Sequence, residues 1–195
     1  FLARILGALY FINNIDDKDL VARSRRSLIG NSVLFLVFFL SFVIRTLLAD
    51  GYAVNPETGE IFMEPYKYLT NFIEMPVVLV LFLIGVVLVL FGIGKSLLKP
   101  KFDKGIWFTG IGTVLAVLAL LLVAGYNHTA YYPSTNDLQS SLTLANSCSS
   151  EFTLRVMFYV SFLVPFVLAY IFYAWRSIDI HKIDEKEMKD GGHSY

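Results

Sequence analysis

Four long apolar runs decide what this chain can become. They cover residues 28–48, 71–93, 105–126 and 152–175, each close to the ~20 residues that carry a helix across the hydrocarbon of a bilayer. Lipid offers no partner for backbone N–H and C=O groups, so a spanning segment must be a helix or a strand of a closed barrel. Barrel strands alternate apolar and polar residues over about ten positions, whereas 77–90 is apolar throughout. The rest of the composition agrees. The chain is 56% hydrophobic and 16% charged, with mean hydropathy +0.62, against about 25% charged residues in a soluble domain. The expected fold is all-α and integral to the membrane: four transmembrane helices in a bundle, one membrane domain over residues 1–195.

The first residues, 1–14, hold an apolar stretch too short to cross a bilayer. It carries one arginine, Arg4, but no small-residue cleavage site follows it, so it makes a poor signal peptide. We read it as the end of a further helix, and the chain as the C-terminal portion of a larger subunit.

Lysine and arginine set the expected orientation. Lys18, Arg23, Arg25 and Arg26 precede the first run, and Lys95, Lys99, Lys101 and Lys104 join the second to the third. Arg176, Lys182, Lys186 and Lys189 follow the last. The stretch 49–70 has only Lys67 against Asp50, Glu57, Glu60 and Glu64, and 127–151 has neither Lys nor Arg. The positive-inside rule then predicts cytoplasmic N- and C-terminal ends, a cytoplasmic tail over 176–195 and two polar loops outside. Tyr52, Tyr66, Tyr68, Tyr131 and Tyr132 on one side, with Trp107, Tyr173 and Trp175 on the other, suit the two interfaces. A net charge of zero gives no argument for a nucleic-acid partner, and a single cysteine, Cys148, cannot form a disulfide within the chain.

Polar residues near the membrane are few. Glu74 sits at the head of the second run, three residues after Asn71, which is the spacing of a capping box with Asn71 as N-cap. An ion pair to another helix and a proton-relay role are the competing readings of that carboxylate. Arg45 and Arg155 lie at matching ends of the first and fourth runs. Together with Glu74 they could form a polar cluster at the membrane interface; the alternative is snorkelling to lipid headgroups. Pro165 should kink the last span by removing a bond to the carbonyl of Ser161. Gly85, Gly92, Gly94, Gly110 and Gly112 should let helices approach closely, although none forms a clean GxxxG pair.

No histidine lies within a run. His128, His181 and His193 are in loops or the tail, and Met75 and Met157 are more readily packing than haem ligands. Neither a metal or haem site nor a catalytic constellation is expected in these residues.

One stretch says more. Pro133-Ser-Thr, Ser140-Ser-Leu-Thr143, Ser149-Ser150, Thr153-Leu154 and Val156-Met157, then Pro165, Tyr170 and Trp175, resemble subunit II of the cytochrome bd-type quinol oxidases. Asp50-Gly51-Tyr52, Asn71-Phe72 with Pro76, and the ending His193-Ser-Tyr195 add to the resemblance. It implies a respiratory complex in the bacterial cytoplasmic membrane that oxidises quinol and reduces dioxygen to water. In such a complex haem b and haem d belong to the partner, subunit I. Subunit II supports assembly, packs against subunit I within the lipid bilayer and in some members holds a structural quinone. The resemblance places no catalytic residue on a position of this chain. A fragment of a secondary transporter and a non-redox scaffold are the alternatives. The transporter is disfavoured because no ionisable residue lies near the centre of any run.

Overall fold

The computed structural model describes residues 1–178. The expectations for the tail beyond, including Lys182, Lys186, Lys189, His181 and the ending His193-Ser-Tyr195, lie outside the described residues. The chain is an all-α integral membrane protein, and among the described residues four helices are long and apolar enough to span.

A short helix α1 (Leu2–Asn14) turns at 15–17 into α2 (Lys18–Leu48). Asp17 begins α2 as its N-cap, its carboxylate accepting from Leu20 N at 2.7 Å. Ile5, Ala8, Leu9 and Ile12 recur at helical spacing, and that face of α1 packs into one core with Leu28, Val89 and Ile93. The 31 residues of α2 extend two to three turns before the apolar run begins at Leu28.

The centre of the molecule is the antiparallel pair α4 (Pro76–Leu98) and α5 (Gly105–Gly125). Buried positions on α4 include Val78, Phe82, Gly85, Val89, Gly92 and Ser96. Their counterparts on α5 are Gly105, Thr109, Gly112, Ala116, Ala119 and Val123. Both sets alternate steps of four and three, the heptad-like period of a coiled-coil seam. Gly85 and Gly92 are one heptad apart, as are Gly105 and Gly112, which is why a search for GxxxG passes over them. The backbones touch there. A Cβ on Gly85 would lie 2.6 Å from Ala116 N, and one on Gly112 would lie 2.6 Å from Gly85 O. Gly94 and Gly110 have open space where a Cβ would go, so the expectation of close approach holds for three of the five glycines and fails for these two.

The second span differs from its expected bounds. Residues 71–74 belong to a separate short helix, α3 (Lys67–Glu74), and α4 starts at Pro76. Proline lacks an N–H and disfavours helical geometry in the residue before it. Met75 accordingly leaves the helix, at φ −112° and ψ 71°. The polar stretch 49–70 holds a hairpin that its hydropathy does not foretell: β1 (Gly51–Val54) pairs antiparallel with β2 (Ile61–Glu64) in the register Gly51↔Glu64. Asn55 turns the chain, its side chain accepting from Glu57 N at 2.9 Å, and Gly59 supplies the positive φ.

The last span is broken near Pro165 as expected, into α7 (Glu151–Ser161) and α8 (Val164–Ile178). It does not join the others in one bundle: its most apolar window contains no buried residue, against about a third of the window in α4.

The glycine seam predicts a sharp contrast. Gly92→Ala should lower the stability of the purified protein in detergent by about 1–3 kcal/mol through overpacking against Gly105 and Thr109. Gly94→Ala, two residues away, should leave the thermal midpoint unchanged or raise it slightly, since alanine is the better helix former.

Candidate functional site: a polar node between helix ends

The break at Met75 leaves α3 crossing the end of α5, and the two meet through Asn71. This side chain is fully buried, so each of its hydrogen-bonding groups needs a protein partner. Its amide nitrogen donates to Val123 O at 2.9 Å and to Thr129 Oγ1 at 2.8 Å. Its carbonyl oxygen accepts from Asn127 Nδ2 at 3.1 Å. Val123 lies in the last turn of α5, where carbonyls have no helical partner. Asn71 therefore closes the C-terminal end of one helix from the interior of another. The expected capping box is absent: Asn71 is a mid-helix residue and Glu74 is the last residue of α3. Glu74 instead accepts a short hydrogen bond from Asn127.

Asn127 and His128 both adopt left-handed backbone, at φ 57° and 53°. Asparagine tolerates this region and histidine less so, and the surrounding hydrogen bonds hold the turn. His128 O accepts from Val54 N and Ala130 N donates to Tyr52 O, both at 2.8 Å. Residues 128–130 thus lie along β1 as a short third strand. On the other edge of the hairpin, Gln139 imitates a strand with its side chain, accepting from Ile61 N at 2.9 Å and donating to Ile61 O at 2.8 Å.

The Ser/Thr-rich stretch is ordered by the same means. Ser141 is fully buried; its hydroxyl accepts from Ser134 N at 3.0 Å and donates to Leu138 O at 2.6 Å. Thr143 and Asn146 form a reciprocal capping box at the start of α6 (Leu144–Ser147). Tyr131 donates to Ser147 Oγ at 3.0 Å. On the opposite flank, Lys67 is buried against Gly51 and pairs with Glu64 at 3.2 Å. Burial and the neighbouring Tyr52 push the Tyr68 phenol above its usual range, so it stays protonated as a neutral side chain.

The structure does not bring Arg45, Glu74 and Arg155 together. Arg155 pairs within its own helix with Glu151 at 2.5 Å, an exposed contact. Arg45 is exposed in the last turn of α2 and has no ion pair among the described residues. The actual node, made of Asn71, Asn127 and Thr129, is neutral apart from Glu74 at its rim. One signal in the sequence pointed to it: Pro76 marks a break that would put Asn71 and Glu74 on their own short helix.

The node fixes three chain segments relative to one another, and its groups are amides and hydroxyls with their bonds made. Among the described residues, no group of three or more His, Cys, Asp or Glu side chains converges. His128 is exposed in the turn after α5, Met75 lies in the break between α3 and α4, and Met157 lies on α7.

Known proteins match the chain along most of its length. The profile of a family described as "Cytochrome bd terminal oxidase subunit II" matches residues 1–178. The chain is 28% identical over 156 residues to the cytochrome bd-I ubiquinol oxidase subunit 2 of Escherichia coli K12, and equally to those of strains O6:H1 and O157:H7. The aligned region is 78% of this chain and 39% of each relative, so the chain spans well under half the length of the curated relatives it matches.

Asn71→Ala should be the most damaging single change at the node. It strands Val123 O in a buried site and takes away the donor to Thr129 Oγ1, which keeps only its bond to Asn127 O, at about 1–3 kcal/mol. Proteolysis in detergent should then cut within 127–147 well below the thermal midpoint. Glu74→Gln keeps an acceptor for Asn127 and should leave that cleavage pattern unchanged.

Proposed function

The chain belongs to the cytochrome bd terminal oxidase subunit II family, and from that membership we propose that it serves as the haem-free membrane subunit of a respiratory quinol:oxygen oxidoreductase. It supports assembly of the complex in the bacterial cytoplasmic membrane. Haem b and haem d, the quinol site and dioxygen reduction reside in subunit I. The observation that carries this reading is the family match over residues 1–178. The last span is compatible with it: Glu151–Ser177 is apolar enough for the membrane yet buries nothing against the described residues, as expected of a helix whose neighbours are lipid or protein other than these residues. The cationic segments around Lys18–Arg26 and Lys95–Lys104 face the cytoplasm and the hairpin with its node faces outward, following the charge asymmetry.

A cavity of about 400 Å³ opens between α2, α4 and α5, bordered by Phe35, Phe39, Val86, Val89, Thr113 and Ala116. Thr113 is its one polar neighbour, and that hydroxyl donates to Thr109 O at 2.8 Å. The cavity accepts an isoprenoid tail or an acyl chain. It has no spare donor for the carbonyls of a quinone ring, so a structural quinone would lodge its tail here and its ring elsewhere.

Purification of the intact complex in mild detergent tests the assignment. A reduced-minus-oxidised spectrum should show b- and d-type haem bands together with a co-purifying larger partner. A partner without those bands overturns the oxidase reading. In the same complex Glu74→Gln should leave oxygen consumption near wild type, whereas removal of a proton-relay group would slow it about 100-fold or more.

A further inference from the structure

Helices α1 and α2 run against each other through one apolar face, and beside that contact they leave a cleft of about 520 Å³. Arg4, Gly7, Ala8 and Phe11 border it on α1, and Leu20, Arg23, Ser24 and Ser27 on α2. Each set has the spacing i, i+3, i+4, i+7, so two continuous helix stripes face the same space. We propose that this cleft is a binding site for an anionic phospholipid, with the headgroup phosphate held between Arg4 and Arg23.

The charges are available. Arg4 and Arg23 make no ion pair or hydrogen bond among the described residues. The neighbouring Arg25, by contrast, is engaged with the carbonyls of Ser96, Lys99 and Pro100. The acids nearest in sequence are Asp16, Asp17 and Asp19 in and beside the turn; Asp17 is occupied as the N-cap, and none pairs with either arginine. Ser27 Oγ accepts from Asn31 Nδ2 at 3.1 Å, which leaves its proton free to donate outward.

The depth is right. Arg23 precedes the apolar run beginning at Leu28 by five residues, about 7–8 Å along a helix, which places it in the headgroup layer. Phe11 and Leu20 close the cleft on the side of the 15–17 turn, so the acyl chains would leave it in the other direction, toward the apolar run that begins at Leu28. Arginines that merely snorkel point to lipid independently. Here two converge on one cleft from different helices, an arrangement that recognises a phosphate. Gly7 keeps the cleft open: a Cβ added there would meet nothing within 4 Å, so packing against protein does not demand the glycine.

Native mass spectrometry of the detergent-purified complex tests the site. The wild type should carry a retained anionic phospholipid. Each arginine removed should weaken retention about fivefold, so Arg4→Gln/Arg23→Gln should lose the adduct. Gly7→Leu should lose it with both charges intact, and it keeps the test decisive if the double variant does not assemble. Arg26→Gln, which removes the same charge from α2 outside the cleft, should retain it. An excess of inorganic phosphate should not displace the lipid. A wild type without the adduct, equal retention in Arg4→Gln/Arg23→Gln or in Gly7→Leu, equal loss in Arg26→Gln, or displacement by phosphate alone would each overturn the proposal.

Discussion

Backbone contact between α4 and α5 is the constraint on which the rest of this structure depends. In lipid the hydrophobic effect gives two helices no reason to associate, so they must gain from close packing and satisfied polar groups. The glycines at 85, 92, 105 and 112 allow that packing, and the pair then presents two C-terminal ends with unpaired carbonyls. Both are closed from outside the pair. Arg25 of α2 donates to Ser96 O at 2.9 Å and to the carbonyls that follow, at the end of α4. Asn71 of α3 donates to Val123 O in the last turn of α5. A cation suits the first position, where the helix dipole and the exposed loop favour positive charge. A neutral amide suits the second, which is fully buried and where an unpaired charge would be costly.

A polar loop can therefore carry structure at a membrane surface. The Ser, Thr and Asn residues of 127–147 recur because short side chains can replace backbone partners in irregular chain. Gln139 completes an edge of the hairpin, Ser141 bridges two turns, and the Thr143 capping box starts a single helical turn. Asn71 sits where this loop, the hairpin helix and α5 meet. Its loss would release all three, whereas the loss of a peripheral bond such as Tyr131 to Ser147 would release one.

The spans were legible because continuous hydrophobicity over a bilayer thickness suits little except a helix in lipid. Their ends were less so. Periodicity cannot see the break at Met75, since both sides of it are helical; only Pro76 records it. The capping-box spacing of Asn71 and Glu74 was real but led to the wrong helix end, because the local pattern carries no information about Val123, which is 52 residues away in sequence. The same holds for the glycines. Composition singled out five, and only the partner helix determines which of them are in contact. The interface cluster of Arg45, Glu74 and Arg155 failed for a related reason: matching depth in the membrane does not say which helices pack together, and the span that bears Arg155 buries nothing against the others.

The last span shows the opposite chemistry to the α4–α5 seam. Phe152, Phe158, Phe162, Phe166, Tyr170, Tyr173 and Trp175 are all exposed along it, in place of the glycine, serine and threonine that line the seam. Side chains of that size hold a neighbouring helix away from the backbone, so contacts here must be made by rings and aliphatic carbons. Such a surface associates through the dispersion of many atoms rather than through backbone proximity. The break between Ser161 and Val164 lets the two halves meet neighbours at different angles. The chain therefore holds itself together where its helices are narrow, and presents to its surroundings the helix that is wide.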